Sequence, residues 1–483
     1  MTHFLNVDTG ITLGYFVMVL LLGLWSGTKI KTVEDYATGG KSYSSFFIFA
    51  TLSASFIGGG FTTGLSEKVF TYGLAYVIGL WGFSLKELLV ATVIAPKMGR
   101  FSRAVSVGDI MEQLYGQAAK ILTGIASVLV CAGIAGAQFS AFGYVLNILT
   151  GFPHTWGIAL GAAIVIAYAA VGGMKAVVLN DTVHFCTLIV ILPLTLAIAY
   201  FSVGGWEGLQ ASLPATHLSL SGDFSLLALV ILFANFFLGE TLVPPYVQRL
   251  LIGRQLSHVV KGTLWSGLVS IPFFLGIGVF GLIARVLDPS ISPDLALPFV
   301  IKTVLPVGLK GLAIAAMMAV VMSSADAFLN AAGIAMANDV LKPILRFSGQ
   351  QALVWSRGLT LVVGVIGTVF ALSTESVIEI LLKAYNFWTP FILVPLVLGI
   401  LGYVVSRTVF WTAAVAGVVS TCLWEWHVGD AGNAALALNG AIVGVLFNAA
   451  VIALGGLLGH RKSVLSETGT ESESETATLM TNK

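Results

Sequence analysis

Residues 53–64 read Ser-Ala-Ser-Phe-Ile-Gly-Gly-Gly-Phe-Thr-Thr-Gly, "SASFIGGGFTTG". The stretch lies inside an apolar segment, 44–72, long enough to cross a bilayer, yet its twelve residues hold four glycines and four hydroxyls. Glycine in a helix interior is destabilising, so this composition predicts a membrane helix that is interrupted. In hydrocarbon a freed backbone group costs several kcal/mol unless a cavity, an ion or a neighbour satisfies it. Such a break therefore marks a place where the backbone itself binds something.

A matching interruption follows. Residues 237–249, "FLGETLVPPYVQR", place Gly239, Pro244 and Pro245 in an otherwise continuous apolar run. Proline removes a backbone donor and clashes with the preceding turn. Two interrupted segments at corresponding places in two halves point to an inverted-repeat transporter. Glycines also let membrane helices pack closely, but that role explains scattered glycines better than clustered ones.

Composition sets the class. The chain is 57% hydrophobic and 10% charged, against about 25% charged in soluble domains. Apolar runs of about 20 residues mark spans. Thirteen are read at 8–27, 44–72, 73–96, 118–149, 155–171, 176–202, 224–248, 260–285, 308–338, 353–372, 376–401, 407–427 and 438–459. The expected fold is all-α: a polytopic membrane protein of thirteen transmembrane helices with a five-plus-five inverted-repeat core. Its divisions are 1–43, a peripheral helix and inner loop; 44–203, the first repeat; 204–223, an outer loop; 224–402, the second repeat; 403–459, two peripheral helices; and 460–483, a disordered cytoplasmic tail rich in Ser, Thr and Glu.

An odd count puts the termini on opposite sides. With the N-terminus outside, most of the 24 Lys and Arg residues fall inside, Arg249 counted among them, which is the expected bias. The flank "MTHFLNVDTG" has no Lys or Arg and carries Asp8. It reads as the start of an uncleaved first helix rather than a secretory signal. The expected location is the cytoplasmic membrane, with the C-terminus inside. Cys131, Cys186 and Cys422 have no metal-ligand spacing and read as packing residues. The net charge of +1 gives no electrostatic footprint for nucleic acid, and none is expected as a partner. Nothing suggests obligate assembly, so a functional monomer is expected.

The ninth segment contains "VMSSADAFLN", residues 321–330. Val320, Ser323 and Ser324 stand at i, i+3 and i+4, on one helical face, with Asp326 close to it. Hydroxyls and carbonyls supply oxygen ligands for a hard monovalent cation. Such serines otherwise back-bond to their own helix.

Four passages together resemble the sodium:solute symporter family, which includes sodium/glucose, proline, sialic acid, iodide and choline transporters. They are "SASFIGGGFTTG", "VGGMKAVVLNDTVHF" (171–185), "PPYVQRLL" (244–251) and "VMSSADAFLN". In motif the chain looks most like the choline and proline branches. The resemblance implies a leucine-transporter-like fold and sodium-coupled symport rather than enzymatic activity. It also implies a sodium site formed by the carbonyls of Ala54, Ile57 and Val320 with the hydroxyls of Ser323 and Ser324. Asp181 matches the family aspartate that belongs to a second cation site or tunes the first. Here Asn180 stands where Thr is usual and His184 where Gln is common. The alternative for Asp181 is a structural pair with Lys175.

Solute is expected beside the two breaks. The candidates are Phe56, Gly60, Thr62 and Thr63 on the second segment, Phe83 on the third and Gln138 on the fourth. Asn235, Phe236 and Glu240 on the seventh and Tyr385, Asn386 and Trp388 on the eleventh complete the set. Intramembrane charges are functional suspects: Glu67, Lys68, Lys86, Glu87, Glu240, Glu379 and Lys383. Where the family's choline pocket places tryptophans this chain has Phe56, Ile134 and Val243, one aromatic of three. The lining suits a small polar solute, an amino acid, amine or carboxylate. A proton-coupled or sodium-independent transporter is the alternative, with a membrane solute sensor behind it.

Overall fold

The computed structural model describes residues 7–347, 349–373, 384–386, 388–428, 438–458 and 461–462. Glu379, Lys383, the start of the 376–401 segment and nearly all of the 460–483 tail lie outside the described residues. The elements, in chain order, are α1 (Val7–Gly27), α2 (Val33–Thr38), α3 (Ser45–Phe56), α4 (Gly59–Tyr72), α5 (Val77–Leu89), α6 (Val107–Tyr115), α7 (Gln117–Thr150), α8 (His154–Ser202), α9 (Gly205–Ser212) and α10 (Ala215–Leu218). There follow α11 (Leu226–Leu238), α12 (Pro244–Leu251), α13 (Leu256–Leu287), α14 (Ala296–Val304), α15 (Leu309–Ile334), α16 (Lys342–Leu345), α17 (Gly349–Ser373), α18 (Val394–Leu401), α19 (Arg407–Val428) and α20 (Gly440–Leu457). A two-residue antiparallel pairing joins Val404–Val405 to Arg461–Lys462.

Among the described residues nine helices are long and apolar enough to cross a membrane. A tenth arises if the pair Ser45–Phe56 and Gly60–Tyr72, bent by 46°, is one broken span. The segments read at 155–171 and 176–202 are two helices that meet at a kink within the run α8, at Gly173, whose φ of 51° and ψ of −155° are not helical. No loop separates them. Tyr36 on α2 receives the bend: its hydroxyl donates toward Ala169 O (3.2 Å) and Ala170 O (3.3 Å) and lies 3.2 Å from Thr360 Oγ1. Those carbonyls precede the kink, where the regular ladder fails, and a buried carbonyl needs a donor.

The helices pack in two groups. α15, buried along nearly its whole length, lies against α1, α7 and α8, with α17 on α7 and α8. α13 packs on α3, α4 and α5, and α11 on α5. The first span joins the α15 group through specific bonds. Asp8 Oδ1 accepts the backbone N–H of Gly308 (2.6 Å) and Gly311 (2.8 Å), and Thr12 Oγ1 donates to Gly311 O (3.1 Å). The carboxylate thus caps another helix, where orphan donors and the helix dipole both favour a negative charge.

One basic residue departs from the sidedness reading. Arg249, counted as an inner charge, is fully buried among α3, α8 and α12. It pairs inside the bundle, so it says nothing about which loop is cytoplasmic.

Candidate functional site

The first break lies where the glycines begin. α3 ends at Phe56, and Gly58, with φ −65° and ψ 169°, turns the chain out of the helix before α4 starts. The N–H groups of Phe61 and Thr62 both turn to Gly58 O, each at 3.0 Å. The Ile57 carbonyl thereby loses the partner that a continuous helix would give it, Phe61 N. Ala54 stands in the last turn of α3, where carbonyls lack intrahelical donors.

α15 faces this break. Ser324 Oγ donates to Ser55 O at 2.7 Å. A Cβ added at Gly58 would sit 2.6 Å from Ser324 Oγ and 3.2 Å from Gln138 Oε1. Glycine is therefore required for the serine to approach. Ser323 Oγ donates to Asp181 Oδ1. A hydroxyl has one proton and two lone pairs, so both serines spend their protons on α3 and α8 and keep oxygen lone pairs for a cation. Ala54, Ile57, Val320, Ser323 and Ser324 are all buried. Back-bonding to α15 itself, the alternative for these serines, is not what the structure has.

Asp181 is held by Arg249. The guanidinium donates to Asp181 Oδ2 (3.0 Å), Thr51 Oγ1 (3.0 Å), Ser55 Oγ (2.5 Å) and Pro245 O (3.0 Å). Thr51 also donates to Asp181. Lys175 does not pair with Asp181; it pairs with Asp35 at 2.7 Å near the start of α2. There burial works to raise the Asp35 carboxyl, but the Lys175 ammonium, the Lys31 N–H and the Thr32 hydroxyl outweigh it and hold it below the usual carboxylate range. Asp326, near the serine face, accepts from the Tyr168 hydroxyl at 3.0 Å.

The second break spans 239–243, between α11 and α12. Leu242 takes the left-handed region at φ 50°, and Pro244 opens α12, where a missing N–H is harmless. Side chains from the eleventh segment satisfy the opened backbone. Thr389 Oγ1 donates to Gly239 O (2.9 Å) and Trp388 Nε1 to Thr241 O (3.1 Å). Trp388 is fully buried and acts here as a brace for the loop. A Cβ at Gly239 would meet Tyr385 Cδ2 at 2.6 Å, so Tyr385 lies directly on the break.

The other solute candidates divide. Phe56, Phe83 and Phe236 join Phe61 and Phe274 in a buried aromatic cluster, with Phe56 and Phe83 centroids 5.4 Å apart. Gln138 lies beside Gly58 and Ser324, and Thr62 Oγ1 donates to Gly58 O at 3.0 Å. Gly60 and Thr63 are buried at the start of α4, Asn235 accepts the Gly239 N–H through its carbonyl at 3.0 Å, and Asn386 is half-buried in a turn. Glu240 is buried at the second break, and Lys86 pairs with its own neighbour Glu87 at 2.7 Å. Glu67 and Lys68 likewise pair at 2.9 Å. Sequence reading missed the site roles of Arg249, Thr51 and Tyr168. Arg249 carried a usable signal, because a charge four residues after Pro245 on an apolar helix is itself an intramembrane charge.

Three comparisons bear on this geometry. A model of the sodium:solute symporter family matches residues 36–415. High affinity choline transporter 1 of Homo sapiens is 25% identical over 391 residues, 75% of this chain and 67% of that protein. Sodium/glucose cotransporter 4 of Danio rerio is 24% identical over 489 residues, 91% of this chain and 71% of that protein. Among solved structures, a substrate-bound, outward-open Na+-coupled sialic acid symporter matches with a TM-score of 0.79 at 17% identity, covering 95% of this chain and 100% of that chain. MhsT in complex with L-phenylalanine matches with a TM-score of 0.53 at 16% identity, covering 85% of this chain and 97% of that chain. At these identities the structural matches speak to the fold.

Proposed function

The chain belongs to the sodium:solute symporter family, a family of multi-pass membrane transporters and not enzymes, and from that premise we propose that it carries out sodium-coupled uptake of a small polar organic solute by alternating access. The observation that carries the reading is the serine pair of α15, facing the first break with both hydroxyl protons already spent, on Asp181 Oδ1 and Ser55 O, so that oxygen lone pairs remain for an ion. The ion would sit between the Ala54, Ile57 and Val320 carbonyls and the Ser323 and Ser324 hydroxyls. Asp181, already paired with Arg249, would tune Ser323 through its hydrogen bond rather than hold a second ion. Solute would lie between the two breaks. A tenfold sodium gradient with 100 mV supplies about 3.7 kcal/mol per ion, or about 500-fold accumulation, so one ion suffices for nutrient uptake.

Ser324→Ala tests the site. It removes one oxygen ligand and little volume, so the sodium concentration for half-maximal uptake should rise several-fold at near-normal expression. Unchanged sodium dependence in proteoliposomes would remove Ser324 from the ion site. Sodium-independent uptake by the unmodified protein would favour proton coupling instead.

The finer architecture belongs to the same proposal: thirteen spans, inverted repeats at 44–203 and 224–402, a monomeric unit in the cytoplasmic membrane and an external N-terminus. The basic residues left after Arg249 is set aside still support that orientation. A cysteine introduced within 206–220, which has no Lys or Arg, should react with an impermeant maleimide on intact cells. One within 100–106 should react only after lysis. The opposite pattern would reverse the orientation.

A further inference from the structure

We propose that the second break holds an N–H-bearing organic ammonium, received by the Glu240 carboxylate. This rests on the uptake reading above and gives its solute a chemical class. The chain displays the chemistry with one of its own groups. The Lys86 ammonium lies 2.7 Å from Glu87 Oε1, 3.6 Å from the Phe83 ring centroid and 4.9 Å from that of Tyr246. A carboxylate and two aromatic faces thus already enclose one ammonium at this level of the bundle, the arrangement that attracts a cation once water is excluded.

Glu240 is the carboxylate left over. Lys86 reaches only its backbone carbonyl, at 3.4 Å. Glu240 is 4% exposed, and its Oε2 has no hydrogen-bond partner among the described residues. The same holds for the Tyr385 hydroxyl, while the Tyr246 hydroxyl lies beside Glu240 outside hydrogen-bond geometry. Among the described residues, one ammonium therefore faces two carboxylates, with two phenol oxygens nearby. A buried carboxylate without a partner is costly, and a further positive charge would relieve it.

The form of that charge follows from the orphaned atoms. Glu240 Oε2 accepts an N–H, and a phenol oxygen accepts another, so a primary or secondary ammonium satisfies both. A quaternary ammonium balances the charge but donates nothing. A carboxylate or a neutral sugar leaves Glu240 uncompensated. The backbone around Glu240 is fixed: Gly239 lets the Tyr385 ring lie directly on the break, and Thr389 and Trp388 hold the carbonyls on either side of Glu240.

The test is the melting temperature of the purified full chain in detergent, with and without sodium. The probes are methylammonium, ethanolamine and putrescine, set against tetramethylammonium, acetate and glucose. The first three should stabilise the protein and the last three should not. Glu240→Gln should weaken the amine response by about tenfold or more, the worth of a hydrogen bond to a charged group. If that variant does not fold, Tyr385→Phe, which keeps the ring and removes the hydroxyl, should weaken it as well. A response to acetate, glucose or tetramethylammonium equal to that of the amines overturns the proposal, as does an undiminished amine response in a folded Glu240→Gln. A sodium shift in the unmodified protein with no amine shift refutes this inference alone. Absence of the sodium shift counts against the uptake reading itself.

Discussion

Replacing Arg249 with methionine is expected to destabilise the protein by about 3–5 kcal/mol, the cost of leaving one member of a buried ion pair uncompensated. The guanidinium touches α3, α8 and α12, and Asp181 passes the contact to α15 through Ser323. Removing it leaves the charge of a fully buried carboxylate uncompensated. Asp181→Asn should cost a comparable amount. The double variant should lose less than the two single losses combined, because it removes both charges and leaves neither unpaired. Thermal denaturation of the four proteins in detergent reads this cycle. Single variants as stable as the parent would mean that the pair contributes nothing to the fold.

Gly173→Ala is expected to be of similar size, through the backbone. A residue with a Cβ at φ 51° is strained by about 1–3 kcal/mol. The added methyl would also meet Tyr36 Cδ2 at 2.5 Å and Tyr36 O at 2.8 Å. Overpacking of this kind costs about 1–3 kcal/mol more. Tyr36 cannot retreat cheaply, since its hydroxyl holds the carbonyls on the near side of the bend. Gly14→Ala is the matched control: it lies inside α1 with nothing within 4 Å of the added Cβ, and it should not lower the melting temperature. Equal melting temperatures for the two alanine variants would show that the bend tolerates a side chain.

Both breaks were legible in the sequence because glycine and proline act locally. The Gly58–Gly60 run weakens a helix through it, and the Pro244–Pro245 pair opposes continuation of a helix from the preceding turn, whatever surrounds them. The serine face was legible for the same reason, since i, i+3 and i+4 fix a side of α15 before any packing is known. The partner of Asp181 was not legible. Lys175 is nearer in sequence, but six helical residues turn about 240°, so the two side chains diverge. Arg249 lies 68 residues away, and only the tertiary fold brings it there. At the end of an apolar run it also imitates an inner-surface charge. Between the spans at 155–171 and 176–202 the sequence reading leaves residues 172–175 as a connection. A single left-handed glycine accomplishes the bend instead, and what makes it stable is Tyr36, on a short helix with no apolar period to announce it.

The bonds from Asp8 and Thr12 to the head of α15 have a mechanical consequence. They splice the first helix into the body that carries Ser323 and Ser324, whereas Ala54 and Ile57 belong to the body built on α13. In the uptake reading, an ion at the first break would be a shim in the seam between two packed groups of helices, and its radius would set the gauge of that seam. Lithium and potassium bear the same charge as sodium but would close it too far or hold it ajar. Discrimination among them would appear as a difference in how completely the two bodies engage, and only secondarily as a difference in how tightly each ion is held.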